Sequence, residues 1–173
     1  MTKSDIQVMP KFFDRYINLA ENIDIIEALT QTATFSSLIP IETLEALGDL
    51  RYAPGKWTVK DILQHVIDNE RIMTYRAMRF ARNDKTALPG YDEELFGQNA
   101  NATRRSLSDL YDEYAILRKA SISLFNSFDD EMLVRDGICF NQTISALALG
   151  YVVVGHALHH ATIIRERYLP LLD

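Results

Sequence analysis

The stretch from Ile144 to Ile164, Ile-Ser-Ala-Leu-Ala-Leu-Gly-Tyr-Val-Val-Val-Gly-His-Ala-Leu-His-His-Ala-Thr-Ile-Ile, decides the fold. It is apolar enough to raise the question of a membrane span. It also carries His156, His159 and His160, and three ionisable groups are costly in hydrocarbon. A helix that is apolar all round must then be enclosed by protein. The stretch therefore reads as the buried central helix of an all-helical domain. Thr143 or Ser145 caps its start, and the helix is expected to reach Tyr168 and stop at Pro170.

Three further helical segments lie upstream. Phe12–Thr30 reads as one amphipathic helix, with Phe13, Ile17, Ala20 and Asp24 at helical spacing. Ile39-Pro40 ends it, Ile41–Leu47 forms a short helix before Gly48, and Ala53-Pro54-Gly55 is a turn. Thr58 then caps a long helix from Val59 to about Arg82, with Asp61 completing a weak capping box and Trp57 and Ile62 a hydrophobic staple. Lys85–Asn101, containing Leu88-Pro89-Gly90, is expected to be irregular. Ser106 and Asp109 open a third long helix through about Ser127. Asp129–Leu133 adds a turn and Asp136-Gly137 breaks the chain. Four long helices with almost no period-two alternation predict a four-helix bundle spanning residues 1–173 as one domain. The long second connection leaves room for a site-covering loop or a crossover.

Composition narrows the function. The 173 residues are 47% hydrophobic and 24% charged, as in ordinary globular domains. Eighteen Lys+Arg against 24 Asp+Glu give a net charge of −6, the wrong sign for neutralising nucleic-acid phosphates or an anionic membrane surface. The first residues are polar and acidic with no apolar core behind them, so no signal peptide is expected and the cytoplasm is the expected location. The single cysteine, Cys139, excludes an internal disulfide and a CxxC site. It reads as a small buried hydrophobe rather than a nucleophile.

The histidines carry the chemistry. His156 and His160 project from one helical face, which Leu149, Val153 and Ile163 turn inward. Two imidazoles so placed chelate a divalent metal in zinc helices. A third ligand must come from elsewhere in the chain, and His65, on the edge of the apolar arc of the second long helix, is the one histidine there. Three neutral imidazoles with an open position are the catalytic zinc arrangement. The bland alternative is a set of hydrogen-bonded core histidines. His159 points about 100° away from His160 and reads as a supporting or packing residue. Glu70 either orients a ligand imidazole or, as is expected here, pairs with an arginine such as Arg76 or Arg79. Arg167, two turns beyond His160, is the anion-binding candidate. Tyr91 lines the site mouth or simply packs. No glutamate follows His156, so the HExxH metalloprotease pattern is absent.

These residues resemble a family. Gly55-Lys56-Trp57-Thr58-Val59-Lys60-Asp61-Ile62-Leu63-Gln64-His65, with Asp68-Asn69-Glu70-Arg71, is similar to the second-helix signature of the DinB-like (DinB/YfiT) superfamily. Gly155-His156-Ala157-Leu158-His159-His160 is similar to its final-helix signature, and Leu88-Pro89-Gly90-Tyr91-Asp92 and Arg165-Glu166-Arg167-Tyr168-Leu169 resemble one of its subgroups. The resemblance implies a four-helix bundle with a divalent metal on His65, His156 and His160, and frequent homodimers. It also implies transfer or isomerisation through low-molecular-weight thiols such as bacillithiol, mycothiol or glutathione. Several members continue the last motif with Arg-Gly-Gln-Ile, where Ala161-Thr162-Ile163-Ile164 stand here.

Three functions follow from this reading. A metal-dependent transferase would use an external thiol against a small electrophile. A metal-dependent hydrolase would use water and want a general base, for which Glu70 or His159 would have to serve. A non-catalytic metal or small-ligand module would do neither. Zinc is the expected metal, with nickel the second fit, and a small molecule is the expected partner.

Overall fold

Local capping chemistry sets the helix starts. Thr58 Oγ1 accepts the Asp61 amide at 3.2 Å and Asp61 Oδ2 accepts the Thr58 amide at 2.9 Å. This reciprocal pair starts the 23-residue helix Val59–Ala81. The computed structural model describes residues 1–172. In chain order its elements are α1 (Asp14–Ile17), α2 (Ile25–Gln31), α3 (Ile41–Leu47), α4 (Val59–Ala81), α5 (Glu93–Ala100), α6 (Leu107–Asn126) and α7 (Asp130–Val134). The hairpin β1 (Asp136–Cys139) and β2 (Gln142–Ser145) follows, then α8 (Ala146–Ile163), which widens into a π turn over Ile164–Tyr168. The architecture is the expected four-helix bundle: α1 with α2, then α4, α6 and α8.

Three expectations change. Phe12–Thr30 is two short helices, not one. Asp24 leaves the helical face assigned to it and caps α2, accepting the Ile26 amide at 2.9 Å while holding the terminal amine of Met1 at 2.8 Å. A carboxylate gains more at a helix start than inside a helix. Residues 85–101 are not wholly irregular, because Asp92 caps α5 by accepting the Leu95 amide at 3.0 Å. Beyond Asp136-Gly137 lies a hairpin, turned by Phe140 and Asn141, both at positive φ (49° and 58°). Such a turn usually carries glycine, which is why the sequence hid it. The cap of α8 is Ser145, whose Oγ accepts the Ala148 amide at 3.1 Å.

The packing directions follow from contacts at the helix ends. Tyr168 Oη, past the end of α8, donates to the Trp57 carbonyl before α4 at 2.5 Å. At the other end Arg135, just before the hairpin, donates to the Ala81 carbonyl at 2.8 Å. Thus α4 and α8 are antiparallel neighbours. By contrast, Arg105 reaches Gln64 and Arg118 reaches Glu70, so α4 and α6 run parallel. Parallel neighbours require the intervening segment, 82–106, to cross the whole bundle. The long second connection is therefore a crossover, and it brings α5 over Trp57, whose ring lies against Gly97.

Of the apolar stretch that opens the last helix, 78% is buried inside the protein. That burial is possible because α1 lies hard against α8. A Cβ on Gly155 would sit 1.9 Å from the Tyr16 carbonyl oxygen, a backbone atom that cannot rotate away. Gly155→Ala is therefore expected to cost about 3 kcal/mol through forced separation of the two helices. Gly97→Ala, which meets only a ring edge, should shift stability by no more than about 1 kcal/mol. Urea denaturation of both variants checks this, and equal stability of Gly155→Ala and wild type would refute the close approach.

Candidate metal centre

The buried apolar residues form two clusters. One joins α1 and α2 to the last part of α4 and the first part of α8. The other joins α3 to the first part of α4, the start of α6 and the end of α8. Between them lies a layer of buried polar groups: Thr32, His65, Asn69, Glu70, Arg118, Ser121, His156 and His160.

One side of this layer is internally satisfied. Glu70 takes two parallel bonds from Arg118, Nε to Oε1 at 2.8 Å and Nη2 to Oε2 at 2.9 Å, and a third from Ser121 Oγ at 2.7 Å. Arg118 Nη1 and Tyr114 Oη both donate to the Thr32 carbonyl, at 3.0 and 2.9 Å. Glu70 is thus the ion-paired residue that was expected. Its partner, however, is Arg118 rather than Arg76 or Arg79, and its oxygens are engaged away from the histidines. The signal that could have found Arg118 is its register: it continues the stripe Leu107, Leu110, Tyr114 toward Ser121 and Phe125, a cation in line with an apolar face.

On the other side, His65 from α4 and His156 and His160 from α8 converge. Their Nε2 atoms lie 3.1 Å apart for His65 and His156 and 3.2 Å apart for His156 and His160. One ligand atom from each ring falls within 4.8 Å of the other two, and all three residues are buried. Trp57 packs on His65 with centroids 4.8 Å apart, and Tyr16 meets His156 edge-on at 5.1 Å, fixing the rings. Burial pushes the His65 pKa down to about 4, with the charge of His159 adding to the effect. Burial, then the neighbouring imidazoles, holds His156 and His160 well below the ordinary histidine value. All three are neutral at pH 7, the form that donates a lone pair to a metal.

The geometry fits a divalent ion. Nitrogens bound to a tetrahedral zinc at about 2.0–2.1 Å lie about 3.3 Å apart, close to the two spacings His156 makes with His65 and His160. Two neutral imidazoles meeting Nε2 to Nε2 need a proton on one of them, and His156 Nε2 meets two such neighbours. A shared cation satisfies all three lone pairs. The two buried polar side-chain atoms without a hydrogen-bond partner, among the described residues, are His160 Nδ1 and Asn69 Oδ1. Asn69 is one turn beyond His65, so both fall on this side of the layer.

The remaining candidates lie outside the cluster. His159 is half-buried and stacks edge-on against Tyr16 and His160, at 5.3 and 5.1 Å. Arg167 is exposed on the wide turn after α8. Tyr91 accepts a hydrogen bond from Asn69 Nδ2 at 2.9 Å. Cys139 is fully buried in β1, and burial raises its thiol pKa. Sequence reasoning missed the cavity beside His160, about 200 Å³, walled by Trp57, Ile62, Ile163 and Tyr168 with Lys56 and Glu94 at its polar side.

Two measurements separate the halves of the layer. With zinc added as the probe ion, wild type is expected to retain one equivalent by mass spectrometry, a capacity lost in His65→Ala and His156→Ala and kept in His159→Ala. Arg118→Met should cost about 3–5 kcal/mol by stranding Glu70, and Glu70→Leu with Arg118→Met should recover much of it. Retained zinc in the double variant would show the ion pair to be structural, and loss of zinc there would tie Glu70 to the metal.

A search of curated proteins found no match. The fold is similar to that of YfiT from Bacillus subtilis, a protein described as a probable metal-dependent hydrolase with an unusual four-helix bundle topology. The TM-score is 0.71 at 17% identity, over 95% of this chain and 90% of that one, a likeness of fold. The DinB superfamily model matches residues 27–164, which take in most of α2, all of α3 through α8 and every histidine of the cluster. The chain belongs to the DinB superfamily.

Proposed function

We propose that the protein is a metal-dependent enzyme that adds an external low-molecular-weight thiol to a small electrophile. The observation that carries this reading is the convergence of three neutral imidazoles beside an open cavity. A closed structural site would take four protein ligands, and a three-ligand site leaves a position for a reactant. A divalent ion held there, zinc by the ligand chemistry with nickel as the second fit, is a Lewis acid that lowers the pKa of a thiol presented to it.

The chain's own residues then bind and orient. Trp57, Ile62, Ile163 and Tyr168 form an apolar wall that excludes water from a thiolate. Lys56, on the same cavity, offers a cation to an acidic group of the thiol. An external nucleophile is favoured because Cys139, the chain's one thiol, is buried in the hairpin with its proton held. Reduced thiols are a cytoplasmic resource, so the cytoplasm is the location we assign, with a small molecule as partner and a homodimer as the assembly.

A specific observation favours hydrolysis as the second reading. Glu94 lines the cavity with His160, where a carboxylate can serve as general base to a water, and the similar fold of YfiT is described as that of a probable hydrolase. The test uses zinc-loaded protein with 1-chloro-2,4-dinitrobenzene and a panel of glutathione, cysteine and bacillithiol. A second arm offers p-nitrophenyl acetate without thiol. Thiol consumption that is abolished in His65→Ala is the expected result. Ester hydrolysis lost in Glu94→Gln, with no thiol consumed, would replace transfer by hydrolysis. Turnover in neither arm would leave a metal-binding module.

A further inference from the structure

A second cavity of about 280 Å³ lies beyond Tyr91, and Phe12, Phe13, Met73, Tyr91 and Phe140 make most of its wall. It shares no lining residue with the cavity beside His160. The Phe12 and Phe140 rings meet with centroids 4.9 Å apart. The absence of a side chain at Gly90 makes room for them, since a Cβ there would lie 2.6 Å from the Phe140 ring. Such a wall suits a flat apolar body.

The floor is Arg76, which is only 4% exposed. Its Nη2 donates to the Pro89 carbonyl at 2.7 Å and its Nη1 lies 3.6 Å from the Met73 thioether, both uncharged partners. Arg118, the other arginine buried among the described residues, is neutralised by Glu70. No described carboxylate forms an ion pair with Arg76, whereas the neighbouring arginines of α4 do have carboxylate partners, Arg71 with Glu113 and Arg79 with Asp84. A buried charge without a counter-charge is expensive, and a ligand anion removes that cost. Two acids stand at the mouth. Asp92 is turned to the α5 amides as a cap. Burial pushes the Glu93 carboxyl up, which disfavours its charged form, and the positive charge of Arg15, whose guanidinium lies 4.1 Å over the Phe12 ring, partly counters its field.

We propose that this cavity binds a small carboxylate with a ring-sized apolar body, its anionic group paired with Arg76 and its body held between Phe12, Phe140 and Tyr91. The inner wall backs onto the polar layer, because Tyr91 bonds Asn69 one turn from His65. As the place that holds the electrophile's acidic handle, the assignment rests on the metal-enzyme reading. The binding itself needs no metal and is tested without it.

The probes are phenylacetate and its neutral analogue phenylacetamide, titrated calorimetrically into metal-free protein. Phenylacetate should bind one to one, at least about tenfold tighter than the amide, from a charge-assisted pair in a buried site. Arg76→Gln keeps an amide donor for the Pro89 carbonyl but removes the charge, and should abolish that preference. Phe140→Ala, in an exposed turn, should weaken both probes. Equal binding of the two probes, no binding of either, or an unchanged preference in Arg76→Gln overturns the proposal. Should Arg76→Gln not fold, amide shift changes in wild type decide: changes centred on Phe12, Tyr91 and Phe140 support it, and changes elsewhere overturn it. Zinc uptake is measured separately on aliquots of the same metal-free protein, so a failed titration with intact zinc uptake leaves the metal-centre reading standing.

Discussion

The structure depends on one constraint: a polar layer crosses the middle of the core, and every group in it must find a partner away from water. Glu70 and Arg118 meet that demand within the chain, through a two-pronged ion pair tied to Thr32 and Ser121. Burying such a pair contributes little net stability against an apolar replacement, but breaking it is costly. It therefore acts as a register pin. It holds α4 beside α6 and the end of α2 at one height, and no sliding of these helices can keep all its bonds. With α4 so fixed, His65 stands at a set level, and the close approach of α1 to α8 at Gly155 sets the level of His156.

The other half of the same layer is solved differently. The His156 Nε2 faces those of His65 and His160, and the unpartnered buried atoms among the described residues fall there, at His160 and Asn69. A chain that satisfies Glu70 with three donors a few residues away has the means to satisfy polar groups internally. Leaving the imidazoles without such partners is a local conflict of the kind that marks functional sites. Neutral imidazoles are costly to protonate in this setting, so a divalent cation answers the conflict where a proton does not.

What the sequence disclosed was what is local. Thr58 with Asp61, Ser106 with Asp109 and the spacing of His156 and His160 are decided within one helical turn, and each could be read directly. The break at Asp24 was hidden because an acid at helical spacing looks like a helix residue until the terminal amine of Met1 arrives to pair with it. The hairpin was hidden because Phe140 and Asn141 occupy a turn that glycine usually announces. Glu70 was correctly read as ion-paired, yet its partner lies 48 residues away on a helix whose height relative to α4 no local pattern specifies. The cavity beside His160 was invisible for a related reason. Its walls come from Trp57, α4, α5 and the end of α8, and they meet only because the crossover 82–106 spans the bundle.

That crossover links fold to chemistry. If α4 and α6 were antiparallel, a short loop would join them and the open side of the histidine cluster would face solvent. Because they are parallel, the chain must return along the bundle, and its route passes the site. Tyr91 reaches Asn69 and Glu94 reaches the His160 cavity, while the α5 backbone at Gly97 closes on Trp57, the residue that stacks on His65. The same short stretch, Tyr91 to Glu94, separates the cavity beside His160 from the one floored by Arg76. The topology thus places an exposed, weakly buried segment over three imidazoles held by two long helices. That segment lines both cavities while the imidazoles stand on α4 and α8, so substitutions within it would alter what the cavities admit without moving the histidine cluster.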